Sequence, residues 1–418
     1  MPPAVANAPE EPPAARPGIR DLPRPVWMLG LTSLCTDTAS EAVYPLLPVY
    51  LTRVLGAGAV SLGLIEGFAE ATSSLLKILS GRVSDRWRIR RPIVIAGYGL
   101  SSAVRPLTAL VTSWTQLFAV RFADRVGKGV RGAPRDAILA ACATPSNRGL
   151  VFGFHRAMDH AGAVLGPVLA SLFLLAWPGR YRLLFALTVV PGALAVASLF
   201  LVKEPVTDPQ AVPAAASPRA AAGESDWRRL PRRFMVLLAV LLVFALGNSA
   251  DAFLLLRLTD VGVDVALIPL LWAALHVVKA VTSVWGGATS DRLGRRTVIG
   301  AGWSIYALVY VGFAVTTSEP ALVGLVLLYG FYYGLSEGTE KALIADLAPA
   351  SLRGTAFGVY NAASGFGALG ASLIFGLVWK AVSPSAAFAM GAALALLATL
   401  LLAAFVREQE TQGGHTEA

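Results

Sequence analysis

A helix needs about 20 apolar residues to cross the hydrocarbon layer of a membrane, and runs of that length recur along almost the whole of this chain. They are drawn as Val26–Thr52, Val60–Ser80, Pro92–Val111, Trp114–Ala143, Gly149–Ala176, Tyr181–Val202, Phe234–Arg257, Val265–Gly286, Val298–Val315, Pro320–Asp346, Ala356–Val378 and Ser385–Val406. In lipid every backbone polar group must be satisfied within the protein, which leaves helices for segments of this length. With 55% hydrophobic and 15% charged residues, a soluble core cannot absorb the apolar content. The fold class predicted is an all-α membrane protein of twelve transmembrane helices, with the lipid bilayer as its first partner.

A net charge of +9 would suggest nucleic acid in a soluble protein. Here the basic residues instead follow membrane topology. Even-numbered connections, the central linker and the C-terminal flank hold clusters such as Arg82 to Arg91, Arg228 to Arg233 and Arg292 to Arg296, whereas odd-numbered connections hold only Arg53, Arg180, Arg182 and Lys380. The positive-inside tendency then places both termini in the cytoplasm of a multi-pass inner (plasma) membrane protein, with no nucleic-acid partner. Residues 1–25 are rich in Pro and Ala and lack the apolar region of a signal peptide, so a disordered cytoplasmic tail is expected there. A first bundle of six helices is expected over 26–202, a Pro/Ala linker over 203–233, a second bundle over 234–406 and a short cytoplasmic tail over 407–418. Cys35 and Cys142 give neither a disulfide framework nor metal-ligand spacing; no metal and no cofactor are expected.

The two halves repeat each other. Gly81, Asp85 and Arg86 after the second span recur as Gly287, Asp291 and Arg292 after the eighth, and Arg148-Gly149 before the fifth recurs as Arg353-Gly354 before the eleventh. Repeated transporter halves place a solute site between them near the bilayer midplane. These residues resemble the major facilitator superfamily. Its loop signature stands complete from Gly287 to Arg296, while the copy from Gly81 to Arg91 has one extra residue and lacks the inner glycine. The resemblance covers all but the tails and linker and implies that both copies form a cytoplasmic gate, each aspartate facing a helix N-terminus of the opposite half. The family's antiporter signature is matched in the fifth span by Gly153, Gly162, Gly166 and Pro167, although two later glycines of the pattern are Ala170 and Ser171. That match implies proton-coupled export. Such small residues also allow close helix packing, and a proline removes a backbone donor and bends its span.

Charges inside spans are costly, about 2.5 to 3.5 kcal/mol each on insertion scales, and so carry functional information. Asp37 and Glu41 share one face of the first span, Glu66 and Glu70 one face of the second. Arg121, Asp124, Arg125, Lys128, Arg131 and Arg135 form a stripe on the fourth, and His155 and Asp159 stack on the fifth. The carboxylates Asp37, Glu41, Glu66, Glu70 and Asp159 are candidates for proton coupling, with Glu41, Glu70 and Asp159 preferred; equally, they neutralise the stripe as a structural network. Candidates for the substrate cavity are Arg125, Lys128, Arg131, His155, Tyr44, Asp251, His276, Glu337, Tyr360 and Asn361. Glu70 and His276 stand at the repeat offset and are expected to face each other across it. Tryptophans and tyrosines near span ends read as interface anchors.

The function expected is secondary active transport by alternating access, by a monomer, of a small-molecule substrate, with protons as the coupling ion and export of a small organic molecule as the leading form. Two alternatives share the scaffold: an exchanger of organic anions or phosphate esters, held by the basic stripe, and a transition-metal exporter using the His155, Met158, Asp159 and His160 cluster. A transporter-like receptor or sensor is the alternative of another class, and neither tail supplies the soluble domain it usually needs. An enzyme is not expected, because the chain has no P-loop, no HExxH and no Gly-x-Ser-x-Gly on a strand-turn-helix.

Overall fold

The computed structural model describes residues 19–87, 89–143, 147–202, 227–349 and 352–406. The expected tails over 1–18 and 407–418 and most of the linker, 203–226, lie outside the described residues. Every regular element described is helical. In chain order they are α1 (Arg24–Val43, continued by 3-10 and π turns to Val54), α2 (Ala59–Trp87), α3 (Arg90–Leu110), α4 (Trp114–Ala141), α5 (Arg148–Ala176) and α6 (Tyr181–Phe200). After the linker come α7 (Arg232–Val261), α8 (Ile268–Leu293), α9 (Arg295–Val315), α10 (Glu319–Leu347), α11 (Arg353–Ala381) and α12 (Pro384–Phe405). Short turns also form at Ile19–Asp21 and Trp227–Arg229.

Nine helices among the described residues are long and apolar enough to cross a membrane. The other three long segments, α1, α2 and α4, are those that concentrate the embedded charges. Leu172, Leu175, Leu194, Phe200, Leu308, Leu400 and Phe405 lie exposed on the outer faces, where a soluble protein would place polar side chains.

Several helices depart from regularity where the sequence gives a reason. Pro45 and Pro48 lack backbone donors, and the chain there passes from α-helix through 3-10 turns into a π-helical end at Tyr50–Val54. The seventh span, read from sequence as continuous, is broken between Gly247 and Ala252, where Gly247 and Asn248 are poor helix formers. That break puts Asn248, Ser249 and Asp251 at the centre of the molecule with local backbone groups free for other partners. In α5, Pro167 lies inside an uninterrupted helix.

Packing follows the repeat. α1 lies against α5 and α6, α2 against α4, and α3 against α4; in the second set α8 lies against α10, α9 against α10 and α12, and α7 against α12. Two contacts join the sets most extensively: α2 with α11 and α5 with α8. A Cβ on Gly63 would stand 2.3 Å from the Ser372 carbonyl oxygen, so glycine there is what lets α2 and α11 touch backbone to backbone. Matching polar clamps recur about 205 positions apart. Arg91 donates to the Phe200 carbonyl at the end of α6 (3.1 Å), and Arg296 donates to the Val406 carbonyl just beyond α12 (3.1 Å).

The start of α1, the end of α6, the start of α7 and the end of α12 lie at one end of the helices, the linker end. The opposite end is closed between the sets: Arg53 donates to the Thr259 carbonyl (3.2 Å) and Ser171 to the Ala266 carbonyl. Toward the linker end the sets diverge. A Cβ on Gly153, Gly287, Gly354 or Gly358 would meet nothing within 4 Å, and among the described residues the ion pair across that side, Arg156 with Glu337 at 3.7 Å, is 60% and 50% exposed.

Candidate functional site

A central cavity of about 450 Å³ lies between the two sets of helices. Its first wall is built by Glu41 and Tyr44 of α1, Glu66 and Glu70 of α2, and Arg125 and Lys128 of α4. The facing wall presents Phe244, Asn248 and Asp251 from around the α7 break, Trp272, His276 and Lys279 of α8, Tyr332, Tyr333, Glu337 and Glu340 of α10, and Tyr360 of α11. Glu70 and His276 thus border one cavity from opposite sets of helices.

The stripe on α4 divides into two groups with different surroundings. Arg121, Asp124 and Arg131 are each no more than 6% exposed. Arg121 Nη2 donates to Glu66 Oε1 (2.8 Å) and Oε2 (3.1 Å), and its Nη1 lies 3.9 Å from Asp124 Oδ2. Asp124 Oδ1 accepts from Arg105 Nη2 at 2.8 Å, and Arg105 also donates to the Thr36 carbonyl. Four charges in alternating sign thereby tie α2, α3 and α4 together beside α1, as a buried network requires. Arg131, read from sequence as a cavity residue, instead donates to Ser101 Oγ (2.6 Å) and lays its guanidinium on the Tyr98 ring, 4.3 Å from the centroid. A stacked arginine is held by a ring face it can desolvate against, and the ring belongs to α3. Farther along, Arg135 pairs with Asp136.

Arg125 and Lys128 are left facing the cavity. Among the described residues neither makes a hydrogen bond or an ion pair, and the Nε of Arg125 is buried without a partner. Glu66 and Glu70 border the same wall, and neither is in direct contact with Arg125 or Lys128 among the described residues.

The carboxylates sort the same way. Glu66 is committed to Arg121. Glu41 Oε2 accepts from the Trp272 indole at 2.8 Å, joining α1 to α8 across the cavity, and Tyr44 packs on the same indole with centroids 5.1 Å apart. Glu70 makes no direct contact with a cation among the described residues. Asp159 does not reach the cavity: it accepts from Ser33 of α1, and His155 Nδ1 lies 3.6 Å from its Oδ2. Asp37 belongs to the same α1–α5 seam, its Cβ next to the position a Gly162 side chain would take. His155, expected on the cavity wall, is therefore not among its lining residues, and Asp159 lies in the contact of α5 with α1. The reason is the closeness of that contact. A Cβ would stand 2.5 Å from the Leu34 carbonyl oxygen at Gly162 and 2.3 Å from the Thr38 carbonyl oxygen at Gly166, and helices this near bury whatever lies between them.

In the second set of helices Asp251 is the hub. Tyr329 Oη donates to its Oδ1 (2.8 Å), Tyr333 Oη reaches both oxygens (3.2 and 3.3 Å), and Lys279 Nζ lies 3.3 Å from Oδ2. Glu340 accepts from Trp303 Nε1 (2.9 Å) and Tyr360 Oη (3.3 Å). Glu337 pairs with Lys341 at 2.8 Å. Asn361 is half-buried next to Tyr360 and is not part of the cavity wall. Sequence reasoning assigns no site role to Trp272, Asn248, Lys279 or Glu340. The repeat could have found the first of them, since Trp272 corresponds to Glu66, and it likewise pairs Tyr333 with Lys128. At other paired positions ions again oppose aromatics, Arg105 with Tyr310 and Asp124 with Tyr329.

Of the gate residues, Gly81 packs near Ala133, Gly287 is open and Arg292 is exposed. The side chains of Asp85, Arg86 and Asp291 lie outside the described residues. Among the described residues no group of three or more His, Cys, Asp or Glu could hold a metal ion, which fails to support the His155 cluster as a metal site.

The family model described as Major Facilitator Superfamily matches residues 29–275 and 252–418. An uncharacterized MFS-type transporter of Methanocaldococcus jannaschii is 35% identical over 393 residues, covering 92% of this chain and 95% of that protein. The cis,cis-muconate transport protein of Acinetobacter baylyi is 23% identical over 368 residues, 84% of this chain and 86% of the other. Among solved structures the nucleoside transporter NupG superposes with a TM-score of 0.72 at 14% identity, over 92% of this chain and 100% of that one, a likeness of fold.

Proposed function

The chain belongs to the major facilitator superfamily and is an all-α, multi-pass membrane transporter of the secondary kind, and on that premise we propose that it exports a small organic anion in exchange for protons. The observation that carries this reading is the pair Arg125 and Lys128, two cations on the cavity wall with no protein anion in contact among the described residues. A carboxylate or phosphate would complete them, and the aromatic wall of Phe244, Trp272, Tyr332 and Tyr333 opposite suits an organic body. Cis,cis-muconate, which the name of the Acinetobacter relative gives as its cargo, is a dicarboxylate and agrees with that class.

Proton coupling rests on Glu41 and Glu70, to which Glu340 is added. Each borders the cavity without a cation in direct contact, so its charge can change without breaking an ion pair. Glu66, locked to Arg121, is assigned to the structural network. Asp37 and Asp159 are removed from the substrate path but remain at the α1–α5 seam, where the antiporter signature lies.

All twelve helices are taken to span the membrane as two six-helix bundles, with the linker end in the cytoplasm as the arginine distribution directs. The open side of the cavity then faces the cytoplasm, the loading side for an exporter, and rocking of the bundles about the site gives alternating access. The second reading, exchange of an organic cation, draws on Glu41 and Glu340.

Thermal stabilisation of the detergent-purified protein by panels of organic anions, organic cations and divalent metals, at about pH 5.5 and 8, separates these. Stabilisation by anions, lost on Arg125→Gln or Lys128→Gln, is the result expected. Stabilisation by cations alone, unaffected by those substitutions, would replace the anion reading with the second one.

A further inference from the structure

Lys279 sits in surroundings that its own ion pair does not require. Its Nζ lies 3.3 Å from Asp251 Oδ2, 3.6 Å from the centroid of the Tyr333 ring and 5.2 Å from that of Trp272. A carboxylate with one or more ring faces is the arrangement that binds alkylammonium ligands, because the ring quadrupoles attract the cation while desolvating it. The cage is held firmly from behind. Tyr329, fully buried, donates to Asp251 at 2.8 Å, and Tyr333 donates through its hydroxyl while offering its ring. Asp251, Lys279, Trp272 and Tyr333 all border the cavity, with the Asp251 and Lys279 side chains only 12% and 14% exposed.

Lysine differs from every other occupant of such a cage in being tethered by a flexible stem of four carbons. A solute ammonium arriving from the cavity can take its place with the same contacts, and the released lysine joins Arg125 and Lys128 as a third cation facing the solute. Asp251 is paired both before and after such an exchange, which avoids the cost of leaving a buried charge uncompensated in either state.

We propose that the Asp251, Tyr333 and Trp272 cage is a second subsite of the cavity, one that takes the ammonium group of a zwitterionic organic solute in exchange for the side chain of Lys279. The proposal rests on reading the cavity as the solute site and narrows its substrate from organic anions to those that also carry an amine. The solute's acidic group then lies at Arg125 and Lys128 and its amine at the opposite wall.

The test uses the full-length protein in detergent with n-propylammonium and tetramethylammonium as probes, read by calorimetric titration and thermal shift at constant ionic strength. Lys279→Ala empties the cage, and n-propylammonium should then bind about tenfold or more tightly than to the wild type. Adding Tyr333→Leu to Lys279→Ala removes a ring face and should abolish the gain, while Lys279→Arg keeps the cage filled and should show none. Equal affinity in wild type and Lys279→Ala overturns the proposal. So does a gain that survives Tyr333→Leu, since it would arise elsewhere. Benzoate titrated in parallel on the wild type reports the Arg125 and Lys128 subsite. Absence of benzoate binding alone would count against the anion reading, and absence of the propylammonium gain alone against the cage.

Discussion

Replacing Asp124 by asparagine keeps the shape of the side chain and removes the charge that Arg105 contacts at 2.8 Å and Arg121 approaches at 3.9 Å. All three side chains are 5–6% exposed, so water cannot take over the lost interaction. Removing one partner of a buried pair costs about 3 to 5 kcal/mol, because the surviving cation stays desolvated. Two arginines share the loss here, and Arg121 retains Glu66, which places the expected cost at the lower end, about 3 kcal/mol. Such a change shifts the folded-to-unfolded ratio by more than about a hundredfold. Asp124 lies off the wall of the central cavity, so unfolding of purified protein by added denaturing detergent reads this loss without interference from the solute site. The cycle is completed with Arg105→Gln and the double variant. A double variant more stable than the sum of the single losses by about 1 kcal/mol or more establishes the pair as a coupled unit. Additive losses, or a single variant as stable as the wild type, would refute the description of this stripe segment as a structural network.

Other substitutions probe separate parts of the account. Gly162→Ala brings a methyl group to 2.5 Å from the Leu34 carbonyl oxygen and should destabilise the protein by about 1 to 3 kcal/mol, whereas Gly153→Ala, inside the helix with open space around it, should leave the melting temperature no lower. Arg91→Ala removes the donor to the Phe200 carbonyl and should cost about 1 kcal/mol in the same unfolding assay, with Arg296→Ala, which removes the donor to the Val406 carbonyl at the duplicated position, losing at least as much. Trp272→Phe deletes the donor to Glu41 Oε2 while keeping a ring. Labelling of cysteines placed near Arg53 by a membrane-impermeant reagent should rise in that variant as the closed end loosens, and unchanged labelling would show the Glu41 contact to be dispensable for closure.

Sequence reading succeeds here where a signal is periodic or duplicated. Apolar runs locate the helices because lipid leaves no other way to satisfy the backbone, and the repeat brings Glu70 and His276 to one cavity. It fails where the outcome depends on a partner outside the helix under inspection. Arg131 and Lys128 are one turn apart on α4, yet Tyr98 of α3 draws one away from the cavity that the other faces. Helical angles alone give them a common stripe. His155 stays off the cavity wall for a related reason: the glycines that let α5 touch α1 also enclose the side chains between them. Trp272 carries no charge to mark it inside its span, although its indole reaches across the cavity to Glu41. The break in α7 that sets Asp251 at the cavity is hidden inside an apolar run, with Gly247-Asn248 as its faint mark.

The central claim, that Arg125 and Lys128 bind the acidic group of a solute moved against protons, is tested most directly in proteoliposomes loaded with a pH-sensitive dye. Addition of the organic anion that best stabilises the protein should drive proton movement opposite to the anion, with loss of about tenfold or more in Arg125→Gln and Lys128→Gln, as expected when one charge-assisted contact is removed. Anion-driven proton flux that persists unchanged in both variants, or the absence of any anion-linked flux from active wild-type protein, would contradict the account.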